Sequence, residues 1–266
     1  VFSWWRRWHR EKLLESTPFP PEWRAVIDEN VGYIRYLDRQ ERQYLEDLVQ
    51  VFVDEKTFVG CGGLELSDEI RVTIAANACI LLLGLHHDLY KNVHSILVYP
   101  STVVAPRRER SLFDTSVRLG EDPPALLGQA HLRGPVILVW DAVTHGSRHP
   151  EMGHNVVFHE FAHKLDMLDD EIDGTPPLRG SEEYARWSKA CGDVYFDLQR
   201  RVEAGKKTFL DAYGATNEGE FFAVATEFFF EKPRQLEQHH PELYGALRDF
   251  YKQDPLARLN PDSPQS

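Results

Sequence analysis

The chain has 266 residues, 42% of them hydrophobic and 12% aromatic, with a formal net charge of −12. That is enough length and apolar content for one large domain or two small ones with a sizeable core. The acidic balance argues against nucleic acid as a general partner and against docking on an anionic membrane surface.

The opening residues, Val1 to Trp8, mix Trp and Arg. They lack the apolar core and small-residue cleavage site of a secretory signal, so the expected location is cytoplasmic. Residues 1–21 are expected to be a tail and linker, with three prolines between Ser16 and Pro21 as linker punctuation. A helix is predicted from Glu22 to Tyr33. A second opens with Asp38 and Glu41 in a capping-box arrangement and carries Leu45, Leu48, Val49 and Phe52 at helical spacing. Thr57–Val59 is a strand candidate, Cys61-Gly62-Gly63 a turn, and Ser67 or Asp68 caps a helix reaching Leu83. The longest apolar run, Ala78 to Leu85, is too short to span a membrane. The three cysteines, Cys61, Cys79 and Cys191, lack paired spacing and read as free thiols in a reducing compartment.

Ser95–Tyr99 is a strand closed by Pro100. Pro106–Leu127 reads as a charged excursion holding one hairpin. Val136–Trp140 is the clearest strand, and in many zinc peptidases such a strand holds extended substrate by main-chain pairing. Residues 141–153, rich in His and Gly, are expected to be a loop.

The loop leads to His159-Glu160-Phe161-Ala162-His163, the H-E-x-x-H pattern of zinc hydrolases. Residues four apart share one helix face, so His159 and His163 can both offer a nitrogen to one ion. Glu160 can reach a water on that ion without being a ligand and serve as general base. Asn155 is a fair N-cap for this helix, and Val156, Val157, Phe158, Phe161, Ala162 and Leu165 supply its buried surface.

Beyond the motif, residues 169–180 are acidic and turn-rich, and Ser181 starts a helix. Glu220–Glu231 is a strongly apolar helix ended by Pro233, and Pro241–Tyr251 forms a last helix. The residues from Gln253 read as a partly disordered tail. Hydrolysis needs a third ligand. Asp166 shares the face of His159 and His163 but is short, and suits a hydrogen bond to a ligand or to nearby backbone better than coordination. Glu220 and Glu227 both qualify as the ligand, being charges on an apolar helix seven residues apart. Glu231 reads as solvated.

H-E-F-A-H-K-L-D-M, from His159 to Met167, and D-A-Y-G-A-T-N-E-G-E-F-F-A-V-A-T-E-F-F-F, from Asp211 to Phe230, together resemble the Mlc titration factor A family of bacterial zinc peptidases. The likeness extends to the G-P-V-I-L-V-W strand and to Phe250–Leu259, covering most of the chain. Over the active-site segments alone the chain is also similar to the protease domain of anthrax lethal factor. The resemblance implies one zinc ion held by His159, His163 and Glu220, Glu160 as base, and Tyr213 near the metal, where its hydroxyl would stabilise an oxyanion. It implies an α+β fold, mostly helical and zincin-like, with a small mixed sheet and one catalytic domain over residues 22–252, followed by a tail at 253–266. The expected activity is zinc-dependent peptide hydrolysis, aminopeptidase-like on short peptides and linked to the repressor Mlc. Direct contact with nucleic acid or membrane is not expected. Two alternatives stand beside it: a non-catalytic zinc module that sequesters a repressor, and a deformylase-like amidase with Cys61 as ligand.

Overall fold

Side-chain caps and prolines set most helix starts. The computed structural model describes residues 2–85, 87–101, 134–169 and 171–259. Asp38 and Glu41 close the expected capping box on helix α3 (Arg39–Glu55), Ser67 caps α4 (Asp68–Ile80), and Asn155 caps α6 (Val156–Asp166). Asn217 caps α8 (Glu218–Glu231). Four helices begin with Pro in the first turn, where its missing N–H costs nothing. These are α2 (Pro21–Asn30), α9 (Pro233–His239), α10 (Pro241–Tyr251) and α11 (Pro255–Arg258). Pro233 therefore ends α8 and starts α9. Helices α1 (Phe2–Ser16), α5 (Trp140–Arg148) and α7 (Ser181–Glu203) complete the helical set among the described residues.

The chain is mostly helical with one small sheet, an α+β architecture. Strands β1 (Thr57–Gly60), β2 (Ser95–Tyr99) and β3 (Val136–Val139) lie in the order β1-β2-β3. The sheet is parallel throughout instead of mixed, with Thr57 opposite Ser95 and Ile96 opposite Val136. Helix α4 lies in the connection between β1 and β2 and returns the chain in the same direction, as parallel pairing requires. Short apolar runs carry no signal for strand direction, so the sequence pattern could not decide this point.

Helix α6 lies at the centre, packed on α8, α4 and β3. Its Phe158 meets Tyr33 and Phe230, and its Phe161 meets Phe52 and Tyr90 at ring distances of 5.7 and 4.8 Å. Helix α8 is buried along almost its whole length, as expected of a helix apolar on every side.

Several segments depart from expectation. Where a tail was expected, residues 2–16 form α1, whose nearly buried Arg10 pairs with Glu55 of α3 and with Asp88. The expected loop at 141–153 begins as α5. Its Gly146 is a close-approach residue, because a Cβ there would fall 2.5 Å from the His154 carbonyl oxygen. The tail from Gln253 is partly tied down: the buried Gln253 amide donates to the Ile80 and Leu81 carbonyls, and Arg258 pairs with Glu41 and donates to the Tyr33 hydroxyl. The Pro106–Leu127 excursion lies outside the described residues. No helix among those described is long and apolar enough to cross a membrane.

Phe161→Ala should cost about 3–5 kcal/mol, the usual loss for an aromatic ring removed from a close-packed core. Urea unfolding measures it, and a loss under about 1 kcal/mol would contradict the packing around α6.

Candidate metal centre

One turn of α6 separates His159 from His163, and their Nε2 atoms lie 3.3 Å apart. Glu220, in the first turn of α8, brings Oε2 to 2.9 Å from His159 Nε2 and 3.3 Å from His163 Nε2. The cap of Asn217 on the Glu220 N–H, 2.9 Å, places that turn. One donor atom from each of the three residues lies within 4.8 Å of the others, and no other trio of His, Cys, Asp or Glu donors among the described residues does so. Cys61 is not part of the cluster; its Sγ sits 3.9 Å from the Val59 carbonyl oxygen.

Two imidazoles and one carboxylate make the donor set of hydrolytic zinc sites, which leave a position for water or substrate. These residues fit such an ion in a second respect. The other ring nitrogen of His159, Nδ1, donates to Glu227 Oε1 at 2.8 Å, and a carboxylate there fixes which nitrogen faces a metal. Glu227 therefore stands behind a candidate ligand while Glu220 stands beside it.

Hydrogen bonds join the three side chains to one another. Burial works against a charged His159, but hydrogen bonds to Glu220 and Glu227, with the charges of Glu227 and Glu160, raise it to about 10. Burial would likewise push Glu220 up, yet hydrogen bonds from both histidines and their charge hold it well below the usual carboxylate range. An ion bound here would replace the proton on His159 Nε2, so uptake should release protons.

Glu160 is half-buried on the same helix, and its charge acts on both His159 and Tyr213. Tyr213 lies in the single turn Ala212–Ala215 before α8, held by the Asp211 side chain, which accepts its N–H at 2.8 Å. Its ring centroid is 6.0 Å from that of His159. The phenol is 46% exposed. Partial burial first, then the charge of and hydrogen bonding to Glu220, push it up to about 12.

Asp166 is buried and accepts the Gly174 N–H at 3.1 Å, the nearby-backbone bond that its position suggested. Gly174 has φ +71°, and a Cβ there would fall 2.3 Å from the Glu218 carbonyl oxygen. The loop after α6 is thus pressed against the start of α8, where the third donor sits. Glu231 corrects the sequence reading: it is buried, not solvated. Its Oε2 accepts the His154 N–H at 2.9 Å, while Glu227 Oε2 accepts the next N–H, that of Asn155, at 2.6 Å. Two carboxyl groups four residues apart on α8 hold consecutive amides of the chain entering α6. The available signal was that α8 from Phe221 onward has no polar face, so a Glu at its far end is buried with the rest.

The profile of a family described as glucose-regulated metallo-peptidase M90 matches residues 5–252. The chain belongs to this metallopeptidase family. Among its relatives, an uncharacterized protein of Synechocystis sp. is 39% identical over 257 residues, 95% of this chain and 90% of that one. Mlc titration factor A of Serratia proteamaculans is 32% identical over 226 residues, 84% of each chain. Mlc titration factor A of Yersinia pestis is 30% identical over 242 residues, 90% of this chain and 86% of that one.

Burial first, then the charge of Glu227, push Glu231 from its ordinary 4.5 up to about 9. A carboxyl raised in the fold stabilises it fully below its unfolded pKa, and that contribution is lost as pH rises through the folded one. Glu231→Gln cannot ionise, so its stability relative to wild type should climb between pH 5 and pH 9, by about 2 kcal/mol or more. Urea unfolding across that range tests this; parallel profiles for the two proteins would refute it.

Proposed function

We propose that this chain is a zinc-dependent peptidase of zincin-like arrangement that cleaves peptide bonds with an activated water. The observation that carries the reading is the convergence of His159, His163 and Glu220, with Glu160 following the first histidine on the same helix. Three protein donors suit a catalytic ion, whereas a structural zinc normally has four.

His159, His163 and Glu220 would hold the ion, and Glu227 would keep the His159 ring in place from behind. Zinc, when bound, supplies Lewis acidity toward a peptide carbonyl and makes a water acidic near neutral pH. Glu160 accepts the proton that this water loses as it attacks and passes it to the departing amine nitrogen. Tyr213 donates its hydroxyl proton in a hydrogen bond to the carbonyl oxygen as charge builds there. That phenol keeps its proton throughout the neutral range, as a donor must. Extended substrate would pair along the main chain of β3, which bonds to β2 on one side.

Short peptides with a free amino end are the substrate class inferred, and cytoplasm the location. The relatives named Mlc titration factor A support a link to the repressor Mlc. The same name favours a second reading, a zinc-containing module that sequesters the repressor without cleaving anything. Both readings expect bound zinc, and only the first expects turnover.

Glu160→Gln should retain zinc and fold while lowering turnover on short peptides about a hundredfold or more. Wild-type turnover in this variant would remove Glu160 from the mechanism, and zinc without turnover in the wild type would favour the binding module. Tyr213→Phe should lower kcat about a hundredfold with KM and zinc content little changed. A normal kcat would reduce Tyr213 to a packing residue. In a zinc-competition titration Glu220→Ala should lose far more affinity than Glu227→Ala; the reverse order would exchange their roles.

A further inference from the structure

Helices α4, α5, α6 and α8 converge on a run of buried side-chain amides that the peptidase reading does not use. Asn77 of α4 and Asn155, the cap of α6, are 1% and 2% exposed. The Asn77 amide Nδ2 donates to the Thr73 carbonyl oxygen at 2.8 Å and to Ser147 Oγ at 2.9 Å. Its Oδ1 accepts from Asn155 Nδ2 at 3.0 Å. Asn155 Oδ1 accepts the Val157 and Phe158 N–H groups at 3.1 and 3.2 Å.

The direction of every bond in this run is forced. A main-chain carbonyl can only accept, so Asn77 must turn its nitrogen toward Thr73 and its oxygen toward Asn155. Asn155 must then present nitrogen to Asn77 and oxygen to the helix, whose N–H groups can only donate. That orientation fixes the Asn155 backbone, whose N–H meets Glu227 Oε2 at 2.6 Å, while Glu227 Oε1 meets His159 Nδ1. Ser147 is not a determinant, since a hydroxyl donates or accepts as its neighbour requires. Gly146 lets α5 close over this point.

We propose that Asn77 is a positioning residue for the metal centre: through Asn155 and Glu227 it sets where the His159 ring stands and which nitrogen it offers. The proposal rests on reading His159, His163 and Glu220 as metal ligands. The hydrogen bonds of Asn77 go to Thr73, Ser147 and Asn155, none of the three. Its reference is a carbonyl of α4, so the ligand geometry is registered against a helix that supplies no ligand.

The test uses purified apo protein: wild type, N77D, N77S, S147A, E227Q and N77S/E227Q. Each is titrated with Zn2+ against a chromogenic chelator and with Co2+ while its visible absorption is recorded, and unfolding midpoints are measured in parallel. N77D places an oxygen against the Thr73 carbonyl, and N77S shortens the side chain so that it no longer spans Thr73 and Asn155. Both should bind zinc about ten- to a hundredfold more weakly, the usual effect of losing a group that orients a ligand, and should shift the cobalt bands. S147A should bind within about twofold of wild type. With the relay already cut in E227Q, adding N77S should cause little further loss. Folded Asn77 variants with wild-type zinc affinity would overturn the proposal, as would N77S and E227Q losses that multiply. Should both Asn77 variants fail to fold, the wild type decides: the Asn77 side-chain amide resonances must move on zinc loading, and unmoved resonances overturn the proposal. Wild-type protein that takes up neither ion sinks the metal-site reading itself, whereas zinc uptake indifferent to Asn77 sinks only the positioning role.

Discussion

The Glu227 carboxylate is the interaction on which the rest of the arrangement depends. It is buried in a stretch of α8, Phe221–Phe230, otherwise built from Phe, Ala, Val and Thr, and both its oxygens are used: one by His159, the other by the Asn155 N–H. Burying a carboxylate costs several kcal/mol unless charge and hydrogen bonds compensate it. Here the compensation comes from His159 of α6 and from its cap Asn155, and this favours the one register of α8 against α6 that keeps both bonds. The phenylalanines of α8 supply the attraction between the two helices, and Glu227 supplies the alignment. Glu220, seven residues earlier and so on the same face, is brought to the histidines by that alignment.

What could be read in advance was what the sequence encodes locally. The spacing of His159 and His163, the caps Asp38 and Asn155, the strand Ser95–Tyr99 and the helix Pro241–Tyr251 each depend on neighbours within a few residues. What could not be read depends on partners far along the chain. Arg10 is held by residues 45 and 78 positions away, so its segment looked like a tail. Residues 141–153 looked like a loop because they are rich in His and Gly, and the reason for Gly146, its close approach to the His154 backbone, lies outside the segment. The choice between Glu220 and Glu227 was a matter of one oxygen against one ring nitrogen. Spacing narrowed it to two residues, the family resemblance chose Glu220, and packing puts Glu220 Oε2 at His159 Nε2 and Glu227 Oε1 at His159 Nδ1.

The ties of Gln253 and Arg258 bear on how the chain is made. Gln253 closes the carbonyls of Ile80 and Leu81, the latter 172 residues earlier. Arg258 closes on Glu41 and Tyr33, more than 200 residues back. On a ribosome adding about 5–20 residues per second, α4 waits roughly 10–30 seconds after emerging before its last carbonyls find their partner. During that interval His159, His163 and Glu220 have all been synthesised, while the helix behind them still has an open end. The histidine pair and the third donor can therefore meet before Gln253 and Arg258 emerge to tie down the end of α4 and the start of α3.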